Sequence, residues 1–486
     1  MLEKVQADRQ ANLDKVRELG IDPYGWRYDT AAPVTAVLEG YKEDAEGHAL
    51  EGQAADVAGR VVLFRDMGKM IFAHLRDQSG QMQIALRKND LDEKSWALAK
   101  LLDLGDIVAA AGPLQRTKTG EITVWAKRLT LLCKSLEPMP EKFHGLTDTE
   151  TRYRQRYLDL AANPDSMAVF QKRVAIINHI RAKLAARGYA EVETPILQPI
   201  YGGGAARPFT THHNTLDADL FLRISPELYL KRLLVGGMQK VFEIGRNFRN
   251  EGIDTRHNPE FTMMELYEAY ADYEVMMEIT EDLIATAAEK VAGGLKIPYG
   301  ETTLDLTRPW PRATYGDLLQ QYAGVAMRDS AAVRAKAREL CLQESNKDDA
   351  VVINEVFEAT VEPAMAKMTA PLFVKDYPAE ICPLTRRKPD DATIALRFEV
   401  FIAGMEIGNA YTELNDPAIQ EANFLQQVKG EGDGAAMRQM DEDFVTALRH
   451  GMPPAGGLGI GIDRVVMLLT NRQSIRDVVL FPLLRS

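Results

Sequence analysis

One stretch, Val241–Tyr267 (VFEIGRNFRNEGIDTRHNPEFTMMELY), restricts what this chain can fold into more than any other. Alternation with a period of two puts Phe242, Ile244 and Phe248 on one side and Glu243, Asn247, Arg249 and Glu251 on the other. A loop with Gly252, Asp254, Arg256, His257 and Pro259 follows, and then Phe261, Met263, Glu265 and Tyr267 share one face of a second strand. The pattern predicts a β-hairpin with a charged floor and a basic loop. Charge on a central strand face is costly unless it serves a ligand. A solvent-exposed face laced with salt bridges accounts for the alternation, but not for an arginine-rich loop beside an aromatic.

A second hairpin is predicted over Arg397–Leu414 (RFEVFIAGMEIGNAYTEL). A two-residue turn at Ala403-Gly404 pairs Phe401 with Glu406. Glu399 and Glu406 then lie diagonally on one face, where two oxygen ligands together with phosphate oxygens suit Mg²⁺. Without a cation, two like charges side by side are destabilising. Asn409, Tyr411 and Glu413 alternate onto one face, and a bulge at Gly408 would bring that face round to Glu406. In Gly456–Leu469 (GGLGIGIDRVVMLL), small residues lead into a helix headed by Asp463 and Arg464. An arginine heading an otherwise apolar helix suggests an anion clamp, and a glycine-rich turn with an Arg–Asp pair is the plainer reading. There is no GxxxxGK[ST] loop and no strict GxGxxG run, so a bound nucleotide would rest on a sheet with arginines.

A chain of 486 residues exceeds one ordinary core, and two or three domains are expected. Residues 1–20 read as a helix ended by Gly20 and Pro23, and 21–55 as a connector. Over 56–136, strands at Val57–Phe64, Met70–Leu75, Gln81–Leu86, Ile107–Ala111 and Ile122–Thr130, with a helical stretch at Asp90–Leu104 before the fourth, give the pattern of an OB barrel. Phe72 and His74 share a face, and Phe72 either stacks a base or is a partly buried barrel residue. Residues 137–156 read as a hinge, with Lys142, His144, Arg152, Arg154 and Arg156 either touching RNA or forming ordinary ion pairs. Residues 157–486 form the large domain, which opens on a helical stripe of Phe170, Val174, Ile177, Ile180 and Leu184. A helical insertion at about 305–378 interrupts its β-rich region. Cys133, Cys341 and Cys382 form no CxxC pair, which argues against a disulfide framework or zinc and fits a reducing cytoplasm. No run of about 18 apolar residues marks a membrane span, and the N-terminus lacks a signal-peptide core. A net charge of −12 excludes a protein that coats nucleic acid indiscriminately and leaves local basic patches for any such binding.

Taken together, these stretches resemble the class II aminoacyl-tRNA synthetases. GYAEVETPIL closing on Pro195 resembles motif 1, FRNEG with Glu260-Phe261 resembles motif 2, and GLGIGIDR resembles motif 3. The barrel resembles that of the subclass loading aspartate, asparagine or lysine. RPFTTHHN, LRISPELYLKRL, RHNPEFTMMELY and LRFEVF resemble words of the bacterial lysyl-tRNA synthetases. The resemblance runs from about residue 4 to the end. It implies an α+β fold, with an N-terminal OB-fold barrel and a large catalytic domain built on an antiparallel sheet flanked by helices.

The resemblance also implies roles. Arg249 would bind the α-phosphate of ATP, Glu251 the adenine amino group and Phe261 the adenine ring, with Arg256, His257 and Arg464 at the pyrophosphate end. Glu399 and Glu406 would hold Mg²⁺, and Arg249 and Arg464 would carry the catalysis. Glu227, Glu265, Tyr267, Asn409, Tyr411 and Glu413 would line the amino-acid pocket, with the backbone of Gly203 nearby. Phe72 would stack an anticodon base, with Arg65 and Gln83 reading its edge. Motif 1 would form a homodimer interface. Three carboxylates suit a cationic ligand, so L-lysine is favoured over aspartate or asparagine, whose burial there would cost several kcal/mol. Arginine is longer and planar and should be rejected. Tyr411 stands where the family usually has Phe, and its hydroxyl needs a partner.

The implied activity is ligation of L-lysine to tRNA(Lys) through a lysyl-adenylate. Short relatives that modify a protein lack the barrel present here. A non-catalytic paralogue would have lost the phosphate and metal ligands.

Overall fold

The computed structural model describes residues 2–45, 49–140, 146–204, 206–429 and 440–485. The chain divides into two compact units, Met1–Met167 and Ala168–Ser486.

In the first unit, the opening helix runs Leu2–Glu18 and stops before Gly20, whose φ of +64° suits a residue without a Cβ. Six strands form the barrel in the order Ala54–Asp66, Met70–Arg76, Gln81–Arg87, Ile122–Ala126, Ile107–Arg116, Arg128–Cys133. Ala54–Asp66 also pairs with Ile107–Arg116 and closes it. Ile71, Ala73 and Leu75 are each 0% exposed inside, while Phe72 and His74 are only half-buried on the other face. The expected fifth strand, Ile122–Thr130, is divided at Lys127. Its first half lies between Gln81–Arg87 and Ile107–Arg116, and its second half stays on Ile107–Arg116. The bend is tight: a Cβ on Gly112 would run into the carbonyl of Trp125. The helix before the fourth strand is Glu93–Ala99, shorter than the expected stretch because Asp92 caps it by accepting from the Ser95 amide at 2.7 Å.

The basic run after the barrel forms ion pairs. Asp159 accepts from Arg152 (2.8 Å) and Arg156 (2.5 Å), and Arg154 pairs with Glu150 (2.7 Å). Arg156 is 1% exposed and out of reach of a nucleic-acid backbone. Lys142 and His144 lie outside the described residues.

The second unit is built on a nine-stranded sheet. Its path runs Arg312–Thr314, Leu372–Pro378, Asp391–Ile402, Met405–Thr412, Ala455–Gly461, Glu260–Ala269, Lys240–Phe248, Ala190–Glu191, and Arg387–Lys388 adds to Asp391–Ile402. The middle is antiparallel, with one parallel pair at each end. One face packs Leu266, Phe398, Ile407, Leu458 and Ile460 against the helices Pro164–Ala186, Tyr273–Ala292 and Ile462–Leu469. On Pro164–Ala186, the buried stripe uses Ile176 at 0% exposure, whereas Val174 of the expected stripe points outward. Helices between Tyr315 and Met365 are bracketed by Arg312–Thr314 and Leu372–Pro378, and Tyr315, Phe357 and Val356 centre a separate core there.

Candidate active site

The opposite face of this sheet is hollow because its central strand is glycine-rich. GGLGIG, whose plainer reading was a turn, is the strand Ala455–Gly461. Leu458 and Ile460 enter the core, and Gly457, Gly459 and Gly461 alternate to the other face. Gly457 stands between Tyr267 and Tyr411, and Gly459 between Glu265 and Asn409. A Cβ on Gly457 would collide with the Glu413 carboxylate and the Tyr267 ring. The missing side chains create the space that the neighbouring strands line.

Two adjoining cavities occupy it, of about 320 and 200 Å³. The smaller is lined by Arg249, Glu251, Arg256, His257, Phe261 and Arg464, all six residues expected to meet a nucleotide. The hairpin register sets Asn247 opposite Phe261, and the Arg249 guanidinium lies 5.1 Å from the Phe261 ring centre. Arg249 Nε is buried without a hydrogen-bond partner, so this cation holds a donor in reserve. Asp254 accepts from the His257 ring at Nδ1 (2.8 Å), which leaves Nε2 facing the Arg464 guanidinium at 3.2 Å. Arg464 also donates to the Glu406 carbonyl at 2.5 Å and Arg256 to the Gly404 carbonyl at 3.2 Å.

The larger cavity is lined by Gly203, Glu227, Glu265, Tyr267, Asn409 and Tyr411. Gly203 has a φ of +82°, and a Cβ there would sit 3.0 Å from Glu227 Cβ and Ser225 Oγ. Ser225 donates to Glu265 at 3.0 Å and accepts from the Glu227 amide at 3.1 Å. Burial and the Glu227 charge push the Glu265 carboxyl up to about 8. Glu413 does not line this cavity. It is fully buried one layer behind, and it forms an ion pair with Lys231, which is itself 0% exposed and 2.6 Å from Glu227. Burial raises the Glu413 carboxyl.

Arg249, Met263, Glu406, Asn409 and Gly459 line both cavities. Ala403 and Gly404, both at positive φ, make the expected two-residue turn, and Phe401 stands opposite Glu406. The strand irregularity falls at Ile407 rather than Gly408, because Val400 pairs with Gly408. Gly408 instead permits close approach, since a Cβ there would be 2.5 Å from the Gly459 carbonyl. Glu399 accepts from the Tyr377 hydroxyl at 2.8 Å and pairs with Arg397. Burial, and then the negative charge of Glu406, raise the Glu399 carboxyl. Two hard carboxylates that repel each other beside an arginine-lined cavity match the donor set of Mg²⁺ accompanying phosphates. No group of three or more metal-ligating side chains occurs among the described residues.

The sequence reading missed Lys231 and Arg397. Lys231 was detectable as an acid–base i,i+4 pair with Glu227 inside the apolar run ELYLKRLLV. Arg397 lies under Tyr411, 5.6 Å from its ring centre, and against Tyr377 at 4.7 Å.

In the barrel, Arg65 stands opposite Phe72 and His74 opposite Gln83. Gln83 accepts from Thr123 (2.9 Å) and donates to Glu121 (2.7 Å), which is 2.6 Å from His74. Phe72 packs edge-on against Trp125 at 6.2 Å. Trp125 is a further aromatic on this face, and Arg87 lies 4.2 Å over its ring.

Residues 148–485 match the family of class II tRNA synthetases (D, K and N), and residues 55–132 match the OB-fold nucleic acid binding domain. A lysine--tRNA ligase of Carboxydothermus hydrogenoformans is 49% identical over 482 residues, covering 98% of this chain and 97% of that protein. Those of Pelotomaculum thermopropionicum and Moorella thermoacetica are each 50% identical, over 100% and 99% of this chain and 95% and 98% of their own lengths. With the barrel, the glycine-floored sheet and these full-length likenesses in hand, the chain belongs to the class II tRNA synthetases of the D, K and N group.

Proposed function

We propose that this chain ligates L-lysine to tRNA(Lys) in two steps, using ATP. The observation that carries the reading is the pairing of an acidic cavity with a basic, aromatic one across Arg249. In the first step, the lysine carboxylate attacks the α-phosphorus of ATP, the bond to the bridging oxygen breaks, and pyrophosphate leaves. Arg249 has its unpartnered Nε at the junction and stabilises charge on the phosphoryl group. Phe261 stacks on adenine, and Glu251 accepts from its amino group. Arg256, His257 and Arg464 hold the pyrophosphate end. Glu227 and Glu265 supply the negative charge that meets the two ammonium groups of lysine, and Glu413 acts from behind the cavity wall by pairing with Lys231. Tyr267, Asn409, Tyr411 and the Gly203 backbone shape the pocket. In the second step, the terminal adenosine of the tRNA takes the lysyl group and AMP leaves. Positioning and electrostatics carry both steps. Glu399 and Glu406 would hold Mg²⁺, which would supply positive charge against the phosphates of ATP.

Residues 56–136 serve as the anticodon-binding domain, with Phe72 stacking a base and Arg65 and Gln83 reading its edge. Residues 137–156 serve as a hinge, and 157–486 as the catalytic domain, whose helical insertion, expected at about 305–378, is narrowed to the stretch between the sheet strands Arg312–Thr314 and Leu372–Pro378. Motif 1 serves a homodimer, consistent with the exposure of Ile196 and Leu197. The reading also puts the protein in the cytoplasm. No helix among the described residues is long and apolar enough to cross a membrane. Charging of a tRNA(Lys) transcript with labelled lysine tests the proposal. Acid-precipitable, alkali-labile lysyl-tRNA(Lys), and no product with tRNA(Asp), is expected. Lysine-dependent ATP turnover with no labelled tRNA would refute the acceptor.

A further inference from the structure

We propose that Lys231 is a positioning and specificity residue that fixes the charge of the amino-acid cavity at two negative equivalents, and thereby selects a substrate with two ammonium groups. The inference rests on reading this cavity as the lysine site. Lys231 is 0% exposed, one helical turn after Glu227, and its ammonium is shared between Glu227 Oε1 at 2.6 Å and Glu413 Oε2. Glu413 is also 0% exposed, and its other oxygen, Oε1, is buried without a hydrogen-bond partner. Tyr267 and Gly457 close over it, so that water has little room to screen it. Glu265, 5% exposed, completes the set.

With a cationic ligand bound and all three carboxylates held ionised by it, three carboxylates and one internal ammonium leave two negative charges. The other nearby cations have partners or tasks of their own. Arg223 pairs with Glu243 at 2.5 Å, Arg397 with Glu399, and Arg249 stands at the nucleotide junction. A diamino acid brings two ammonium groups and neutralises the pocket. A monoamino acid leaves a buried carboxylate without a counter-charge, which is strongly unfavourable. A third free carboxylate would arise if Lys231 were absent. On this account the chain's own lysine trims the acidity of a pocket that would otherwise be too negative for its ligand.

The test is second-site recovery in lysine-dependent ATP–pyrophosphate exchange. Glu413→Gln drops the pocket to one negative equivalent, and KM for lysine should rise on the order of 100-fold with KM for ATP little changed. Adding Lys231→Met returns the count to two, and the double variant should recover roughly 10-fold or more of that loss. Lys231→Gln with Glu413→Gln, which keeps a hydrogen-bonding pair in the same volume, should recover likewise and guards against a folding defect in the first pair. A merely structural ion pair also predicts recovery in the double variants but makes lysine and norleucine lose exchange together in Glu413→Gln, whereas the charge account predicts that norleucine, with one ammonium group, gains relative to lysine. Double variants that bind ATP normally but match or exceed Glu413→Gln in lysine KM would overturn the role of Lys231. Absence of lysine-dependent exchange in the unsubstituted protein would instead refute the lysine reading itself.

Discussion

Glu265→Gln should make the ligand-free protein more stable while crippling it. The Glu265 carboxyl is 5% exposed and pushed up to about 8, chiefly by burial and then by Glu227. In the unfolded chain it titrates near its ordinary 4.5. The folded state therefore keeps a proton that the unfolded state releases, and stability falls as pH rises from about 4.5 to about 8. At 1.36 kcal/mol per unit, the displacement costs on the order of 4 kcal/mol by pH 8. An uncharged amide of the same shape escapes this cost and can still accept from Ser225. For a unit the size of Ala168–Ser486, the gain corresponds to roughly 6 °C in unfolding midpoint. Thermal unfolding from pH 5 to pH 8.5, with and without lysine, reads it directly. The variant should match the unsubstituted protein near pH 5, exceed it progressively above pH 6, and gain nothing from lysine. A midpoint difference that is flat in pH, or a variant less stable at pH 8, would show that Glu265 bears no such burial penalty.

Three further outcomes follow from the site. Arg249→Ala should lower pyrophosphate exchange by about two to three orders of magnitude with the unfolding midpoint unchanged, and near-normal exchange would contradict its place at the α-phosphate. Chelation of divalent metal should abolish exchange, and Glu399→Gln should raise the Mg²⁺ concentration needed for half-maximal rate, with an unchanged Mg²⁺ dependence removing that residue from the set. Phe72→Ala should raise KM for tRNA in charging about 10-fold or more while leaving exchange untouched, as loss of one stacked base predicts.

Much of this architecture was legible because strand alternation reports faces directly. Glu265 and Tyr267 fall on one side of Glu260–Ala269 and line one cavity, as the period of two requires. The Ala403-Gly404 turn fixed the pairing of Phe401 with Glu406 through turn chemistry alone. What resisted reading depends on a third dimension. The glycines of Gly456–Gly461 resemble a turn until two flanking strands show that their missing side chains make the cavity. Depth was hidden as well: Glu413 shares its strand face with Asn409 and Tyr411, yet packs behind the cavity wall against a lysine from a distant helix. Arg152 and Arg156 show the converse, because a basic run looks alike whether it meets RNA or, as here, a buried aspartate.

The central claim is that the acidic cavity activates lysine, and amino-acid-dependent ATP–pyrophosphate exchange tests it most directly. Purified protein would be assayed with lysine, arginine, ornithine, aspartate and asparagine. Exchange with lysine and little with the others is the predicted result. Exchange with aspartate or asparagine, or none with any of the five in folded protein that binds ATP, would contradict it.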